Sequence, residues 1–137
     1  MLKIYLASRY SRISELNDYK TDLEALGHTV TSRWLGGDHH LSEVYAPKKA
    51  RRFAVDDISD IDAADCLIQF PDEAREPSTS RGGQHTEFGY ALGTGKRIII
   101  VGFRQHVFHY LPGIEFYETW KRCLRTAPAL RDREIVA

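Results

Sequence analysis

The sequence has no excess charge of either sign, few cysteines and no long apolar run. Lys plus Arg and Asp plus Glu both number 19 among the 137 residues, so the formal net charge is zero. Without a basic surplus, the composition gives no support for binding to a nucleic-acid polymer or to a membrane surface. A small anionic ligand held by a few local arginines is still compatible with this balance.

The shortage of apolar runs and cysteines also limits where the protein is expected to work. The first residues, MLKIYLAS, are too few for the core of a signal peptide, and no apolar stretch approaches the roughly 20 residues of a membrane-spanning helix. Cys66 and Cys123 have neither metal-binding nor redox-motif spacing. These features predict a cytoplasmic protein in a reducing compartment.

What the sequence does contain is an alternation of short apolar runs and amphipathic segments. The strand candidates are residues 3–7, 29–35, 65–70 and 97–102, and the helix candidates are residues 11–27, 47–64 and 84–96, with a short strand and a last helix between 108 and 124. The third and fourth apolar runs are almost continuous, which is typical of a parallel sheet covered on both faces. The sequence therefore predicts one α/β domain over residues 1–137. It is doubly wound, flavodoxin- or Rossmann-like, around a mainly parallel sheet of four to five strands.

The stretch RGGQHTEFGYALGTGK (81–96) contains the main candidate for a ligand site. Gly82 and Gly83 precede a helix, where glycines let a ligand approach the backbone and leave N–H donors free, unless they are only a flexible loop end. Glu87 is expected in the first turn of that helix, where the helix dipole favours its charged form. It is either an ionised nucleophile or a surface charge that complements the dipole. The stretch is neither a P-loop nor a GxGxxG fingerprint.

A dense acidic run lies upstream of this stretch. It comprises Asp56, Asp57, Asp60, Asp62 and Asp65. Most residues in such a run are solvated helix charges. One of them could be an acid/base partner for Glu87, because two carboxyl groups at an anomeric carbon are the usual means of glycosidic chemistry. Spacing alone does not choose which.

Histidines and aromatic residues supply weaker candidates. The histidines weighed as a metal site are His39, His40, His85, His106 and His109. No HExxH motif or Cys/His framework accompanies them, so the sequence predicts no metal and no cofactor, and histidines that contact substrate or solvent. Tyr5 and Trp34 could stack on a base, or they are ordinary amphipathic residues at strand ends.

Three segments together resemble the nucleoside 2-deoxyribosyltransferase superfamily, which includes N-glycosidases of nucleoside 5′-monophosphates. They are KIYLAS, DDISDIDAADCLIQF and RGGQHTEFGYALGTGKRIIIV, and the resemblance runs from Leu2 to about Val101. Its most specific part is the glycine-rich turn followed by Glu-x-Gly-Tyr-Ala and a Gly-Lys before a strand. The resemblance implies an enzyme that cleaves or exchanges the N-glycosidic bond of a (2-deoxy)nucleoside or nucleoside 5′-monophosphate, through a covalent glycosyl intermediate on a glutamate.

The resemblance also implies roles for individual residues. Glu87 matches the glutamate that attacks the anomeric carbon, and Asp57, eight residues before Asp65, matches the acid/base aspartate. Tyr5 matches the tyrosine of the first strand. The first loop, which meets the sugar or its 5′ group, corresponds to residues 8–12, with Ser8, Arg9, Ser11 and Arg12 as the contacts. His109 matches a residue that reaches into a neighbouring subunit's site, so a homodimer or larger homo-oligomer is expected.

One departure from the family pattern bears on the substrate. Six residues before the glutamate, relatives carry a serine or an aspartate that meets the 5′ end of the sugar, whereas this chain has Arg81. An arginine suits a phosphate, and with Arg9 and Arg12 three cations could converge there. The departure predicts a nucleoside 5′-monophosphate substrate, unless Arg81 points into solvent.

Two other functions stay open at this point. The segment GGQHTE loosely resembles the GGxGTxxE motif of cytokinin-activating phosphoribohydrolases, although the preceding proline is missing and the glutamate is shifted. A non-catalytic nucleotide-binding module with the same fold is the second alternative, although both carboxylates are present. The residues also leave open whether a base or water accepts the sugar, and hence whether the enzyme is a transferase or a hydrolase.

Overall fold

A computed structural model describes residues 1–37, 39, 46–73 and 82–130, which form a five-stranded parallel sheet with helices packed on it. The strands are β1 (Lys3–Ala7), β2 (Thr29–Val30), β3 (Cys66–Gln69), β4 (Arg97–Val101) and β5 (Glu115–Tyr117). The helices are α1 (Ile13–Ala25), α2 (Pro47–Asp62), α3 (Gly83–Gly93) and α4 (Trp120–Thr126). The strand order is β2-β1-β3-β4-β5, and every pair is parallel, which confirms the predicted doubly wound α/β fold.

The three central strands are buried because their sequences are apolar on both faces. Fully buried side chains in them include Ile4, Leu6, Leu67, Ile68, Ile99 and Ile100. On α1, the predicted apolar face supplies Leu16 and Leu23, which have no exposed surface. None of the helices among the described residues is long and apolar enough to cross a membrane.

The strand predicted over residues 29–35 is wrong beyond Val30, where the chain turns into a 3₁₀ helix at Arg33–Gly36. Side chains replace the expected strand ladder at this point. The hydroxyl of Ser32 accepts the Leu6 N–H at 2.7 Å, and the indole N–H of Trp34 donates to the Leu6 carbonyl at 2.9 Å. Because the backbone groups of Leu6 on this side are taken by side chains, β2 stops after two residues.

The buried core of the sheet leads to a first prediction, which concerns stability. Ile99 lies in β4 opposite Ile68 of β3 and is fully buried, so Ile99→Ala should lower the free energy of unfolding by about 2–5 kcal/mol through lost burial and a residual cavity. Urea unfolding measures the change. The matched change Val55→Ala, on an exposed position of α2, should stay within about 0.5 kcal/mol of the parent chain. Equal losses in the two variants would contradict the assignment of β4 to the core.

Candidate active site

The candidate site is centred on Tyr5, Glu87 and Asp57, which come from three different elements. Tyr5 lies in the middle of β1 with no exposed surface, and its hydroxyl donates to Glu87 Oε2 at 2.8 Å. Glu87 is carried by α3, and its carboxyl group is hydrogen-bonded to that of Asp57 on α2. The fold therefore brings together three of the residues that the family resemblance singled out.

Two carboxyl groups in contact, partly withdrawn from water, favour retention of one proton between them. Withdrawal of the Glu87 carboxyl from water, and then the adjacent Asp57, raise the pKa of Glu87 well above its ordinary value. Loss of hydration also raises the pKa of Asp57. The same pair raises the pKa of Tyr5 beyond the increase due to burial, so the phenol stays protonated and donates to Glu87. The pair therefore keeps a proton to higher pH than two separate carboxyl groups would.

The predicted position of Glu87 in the first turn of a helix is wrong. Gly82 adopts a left-handed conformation with φ 81°, which suits a glycine, and the helix begins at Gly83. Glu87 is thus the fifth residue of α3, and the first turn contains no acidic side chain. The helix dipole falls off beyond the first turn, so burial, and then the contacts with Asp57 and Tyr5, govern the pKa of this carboxyl group.

The acidic run of α2 is divided among several partners. Asp60 is buried and accepts from the Arg33 backbone N–H and from its Nε, both at 2.9 Å. Asp56 lies 3.5 Å from Arg33 Nη1 and 3.3 Å from His39 Nε2. The exposed Asp62 accepts from the Tyr90 hydroxyl. Asp57 is thus the aspartate of α2 that reaches Glu87, a choice that sequence spacing left open.

His39 belongs to the site region, although sequence reasoning gave it no individual role. Its Nε2 lies 4.0 Å from Asp57 Oδ1, its side chain is 5% exposed, and its ring stacks on Phe53 with centroids 4.6 Å apart. The contact joins residues 18 positions apart across a poorly patterned segment. No periodicity or motif in the sequence signals it. The neighbouring His40, the other candidate ligand of this pair, lies outside the described residues.

The first loop, residues 8–12, lies where β1 ends. Arg12 is paired with Glu15 of α1: its Nε and Nη2 donate to the two carboxylate oxygens at 2.9 and 2.7 Å. Its Nη1 donates to the Phe70 carbonyl at 2.9 Å. Arg9 pairs with Asp72 at 3.4 Å. The hydroxyl of Ser8 donates to the Arg9 carbonyl, and Ser11 is exposed. The loop therefore stands at the carboxyl edge of the sheet, with the charge of Arg12 already matched by Glu15.

The other sequence-predicted contacts are placed differently from the central three. Trp34 is 5% exposed, and its indole N–H is satisfied by Leu6, so it is packed into the core. Gly82 and Gly83 form the start of α3. Arg81 lies outside the described residues. His109 is 1% exposed within its own chain, and its predicted reach into a neighbouring subunit stays a prediction.

A separate polar cluster lies between β3, α3 and the segment after β4. Gln69 Nε2 donates to Gln84 Oε1 at 2.9 Å and lies 3.1 Å from His85 Nδ1, while Gln69 Oε1 is 2.9 Å from His109 Nε2. His106 Nε2 lies 3.1 Å from His85 Nδ1. Burial lowers the pKa of all three histidines, that of His109 to about 3. These rings are therefore neutral at neutral pH.

Comparisons with known proteins agree with this fold. No family model matches the chain, and no curated protein matches it by sequence. A 2-deoxyribosyltransferase from Bacillus psychrosaccharolyticus is 20% identical, with a TM-score of 0.70 and 93% of each chain covered. A CMP N-glycosidase from Clostridium botulinum is 21% identical, with a TM-score of 0.56, covering 90% of this chain and 95% of that one. The likeness confirms the fold that the sequence resemblance implied.

The raised pKa of Glu87 leads to a prediction about stability. A carboxyl group whose pKa is raised by folding binds its proton more tightly in the folded chain. Its contribution to stability is therefore complete at acid pH, below about 4.3, and is lost as the pH rises through the folded-state pKa. Glu87→Gln keeps the shape of the side chain but cannot ionise, so it does not lose stability as the pH rises. The variant should therefore be more stable than the parent chain at pH 8, and the difference should shrink towards pH 4.

Urea unfolding at a series of pH values measures that difference. Glu24→Gln removes one carboxylate from an exposed position of α1 and serves as the matched control. Its pH dependence should follow the parent chain. If Glu87→Gln also follows the parent chain at every pH, the carboxyl pair does not hold its proton as described.

Proposed function

We propose that the protein is an enzyme that cleaves or exchanges the N-glycosidic bond of a (2-deoxy)nucleoside or nucleoside 5′-monophosphate. The observation that supports it most is the hydrogen-bonded pair of Glu87 and Asp57 with the Tyr5 hydroxyl on Glu87. The fold shared with a 2-deoxyribosyltransferase and a CMP N-glycosidase adds weight, since both known enzymes act on this type of bond. Both carboxyl groups belong to residues that the sequence resemblance implied as catalytic.

The pair suits a double displacement. A Glu87 carboxylate oxygen attacks C1′, the C1′–N bond breaks, and a glycosyl ester forms while the Asp57 carboxylic acid protonates the departing base. Water or a second base then attacks C1′, Asp57 takes the proton of the attacking group, and Glu87 leaves as a carboxylate. Retaining glycosidases hold their two carboxyl groups about 5 Å apart, whereas inverting enzymes leave space for a water between them. Contact between Glu87 and Asp57 therefore favours the covalent route.

Tyr5 has a positioning role in this scheme. Its hydroxyl occupies one lone pair of Glu87 Oε2, which directs the other carboxylate oxygen towards the substrate and stabilises negative charge on Glu87. The Tyr5 hydrogen bond lowers the pKa of Glu87 and so opposes the rise that burial and Asp57 cause. In the proposed first step the proton passes from Glu87 to Asp57, which leaves a nucleophile and an acid side by side.

A 5′-phosphate remains the proposed distinguishing group of the substrate. Arg12 is neutralised by Glu15, so the cations considered for the phosphate reduce to Arg9 and the sequence-based candidate Arg81. Arg9 lies at the carboxyl edge, a third of its side chain is exposed, and its partner Asp72 is 3.4 Å away. A guanidinium at that distance from a carboxylate retains donors for a second anion.

Assembly into a homo-oligomer, in a cytoplasmic setting, belongs to the same proposal. Three exposed apolar side chains follow one another closely after β4: Val107 is 74% exposed, Phe108 59% and Tyr110 67%. Such a patch is typical of a protein–protein contact. Both cysteines are free and buried, in keeping with a reducing compartment.

The proposed roles are tested by product analysis over a panel of nucleosides and monophosphates, with and without an acceptor base. Glu87→Ala should lower kcat/KM by at least about 10³-fold, and Asp57→Asn by about 10²–10⁴-fold, through loss of the nucleophile and of the proton donor. Asp62→Asn changes a surface aspartate of the same helix and should leave activity unchanged. Free base released without an acceptor identifies a hydrolase, and transfer only to an added base identifies a transferase.

Two results of this assay would oppose the proposal. Nucleotide binding without release of base from any substrate favours a non-catalytic module. Turnover of ribonucleotides that survives Glu87→Ala favours the phosphoribohydrolase alternative.

The phosphate preference has its own test. If the substrate is a monophosphate, kcat/KM for a deoxynucleoside 5′-monophosphate should exceed that for the matching deoxynucleoside, and Arg81→Ala should raise KM for the monophosphate alone. Arg125→Ala, on an exposed position of α4, is the matched control and should change neither value. Equal or better turnover of the free nucleoside contradicts the preference for phosphate.

A further inference from the structure

Three histidines that have no step in the proposed double displacement converge beside α3. His85 is in the first turn of α3, and His106 and His109 lie in the segment that joins β4 to β5. One potential ligand atom from each lies within 4.8 Å of the others. A tetrahedral zinc ion with Zn–N bonds of about 2.0–2.1 Å separates its ligand nitrogens by roughly 3.3 Å, so a small inward movement brings the three into range.

We propose that His85, His106 and His109 bind a divalent transition-metal ion, with Zn²⁺ as the expected ion. Neutral imidazole is a preferred ligand of Zn²⁺, and three protein nitrogens with one open position form a known zinc arrangement. His85 and His106 are partly exposed and His109 is buried, so an ion can enter from solvent and keep a water as fourth ligand.

The hydrogen bonds around the rings support the assignment. His109 Nδ1 accepts the Gln105 backbone N–H at 2.9 Å, so its Nε2 carries the proton and donates to the Gln69 side-chain carbonyl. Metal-binding histidines commonly donate their second ring N–H to such an oxygen. His106 Nδ1, in contrast, is a buried ring nitrogen with no hydrogen-bond partner among the residues that the structure describes. An acceptor left unsatisfied in this way is costly unless a ligand completes it.

In the present arrangement the histidine rings pack against one another and against Phe88. The Phe88 ring packs against His109 with centroids 4.9 Å apart and against His106 at 5.5 Å. His106 and His109 stack at 3.8 Å. Three present contacts lie on imidazole nitrogens of the cluster: the Gln105 N–H on His109 Nδ1, and both Gln69 Nε2 and His106 Nε2 on His85 Nδ1. Zinc binding therefore involves a shift of residues 105–109 towards α3.

Glu87 and His85 are two positions apart on α3, so their side chains leave the helix in nearly opposite directions. Zinc binding can be tested without any substrate. Tag-free protein is dialysed against Zn²⁺, and the bound metal is measured per chain, with the affinity taken from competition with a chelating dye. We expect one Zn²⁺ per chain, a higher Tm with zinc, and a visible absorption spectrum of low-symmetry coordination when Co²⁺ replaces Zn²⁺.

The variants decide which residues are responsible. His85→Ala and His106→Ala should each weaken zinc affinity by at least about 100-fold, because each removes one of three ligands. Val107→Ala, an exposed neighbour without a ligand atom, should leave it unchanged. Circular dichroism checks folding, and His106→Gln keeps a polar side chain should the alanine variant unfold.

Two outcomes overturn the proposal. One is the absence of saturable zinc binding by the parent chain. The other is binding that survives His106→Ala but is lost in His39→Ala, which would place the ion beside Asp56 and Asp57.

Discussion

The hydrogen bond between the carboxyl groups of Glu87 and Asp57, with the Tyr5 hydroxyl on Glu87, joins three elements of the fold. Ionising both in a site with little water is unfavourable, while removing either would leave the other without its partner. Tyr5 can reach Glu87 only because β1 is buried in the centre of the sheet, between β2 and β3. The buried position of β1 therefore determines which oxygen of Glu87 the Tyr5 hydroxyl contacts.

Helix α3 presents two different surfaces around this contact. Residues two positions apart on a helix point in nearly opposite directions, so Glu87 faces Asp57 on α2 while His85 faces the segment after β4. Phe88 and Gln84 fill the side towards the sheet, where both are buried. A single helix thus supplies one carboxyl group to the proposed reaction and one imidazole to a separate cluster. The two groups are joined by a rigid backbone and by no shared side-chain contact among the described residues.

The order of elements was readable from the sequence wherever burial on both faces left an unmistakable pattern. The runs that became β3 and β4 are apolar without interruption, and both strands formed where predicted. The strand predicted over residues 29–35 was wrong beyond Val30, because the alternation of apolar and polar residues does not reveal that the side chains of Ser32 and Trp34 hydrogen-bond the backbone of Leu6. A local sequence pattern indicates whether a side chain is buried. It does not indicate which backbone group that side chain will hydrogen-bond.

The site was predictable only in part, for a related reason. Motif resemblance indicated Glu87, Asp57 and Tyr5, but composition and spacing could not distinguish Asp57 from the other aspartates of α2. Which aspartate of α2 reaches Glu87 depends on how α2 is rotated against α3, and this is set by tertiary packing. The convergence of His85 with His106 and His109 was also hidden, because it joins residues more than 20 positions apart across a strand. The helix dipole, a local effect, proved less important for Glu87 than its neighbours in space.

The left-handed Gly82 also bears on how this fold can diversify. Because that one residue sets the direction in which α3 starts, the position of Glu87 is fixed from the helix onwards and owes nothing to the number of residues before it. A change in the number of residues between β3 and Gly82 would therefore leave the Glu87 carboxyl group in its place on α3. The length of that connection and the geometry of the carboxyl pair can be varied separately.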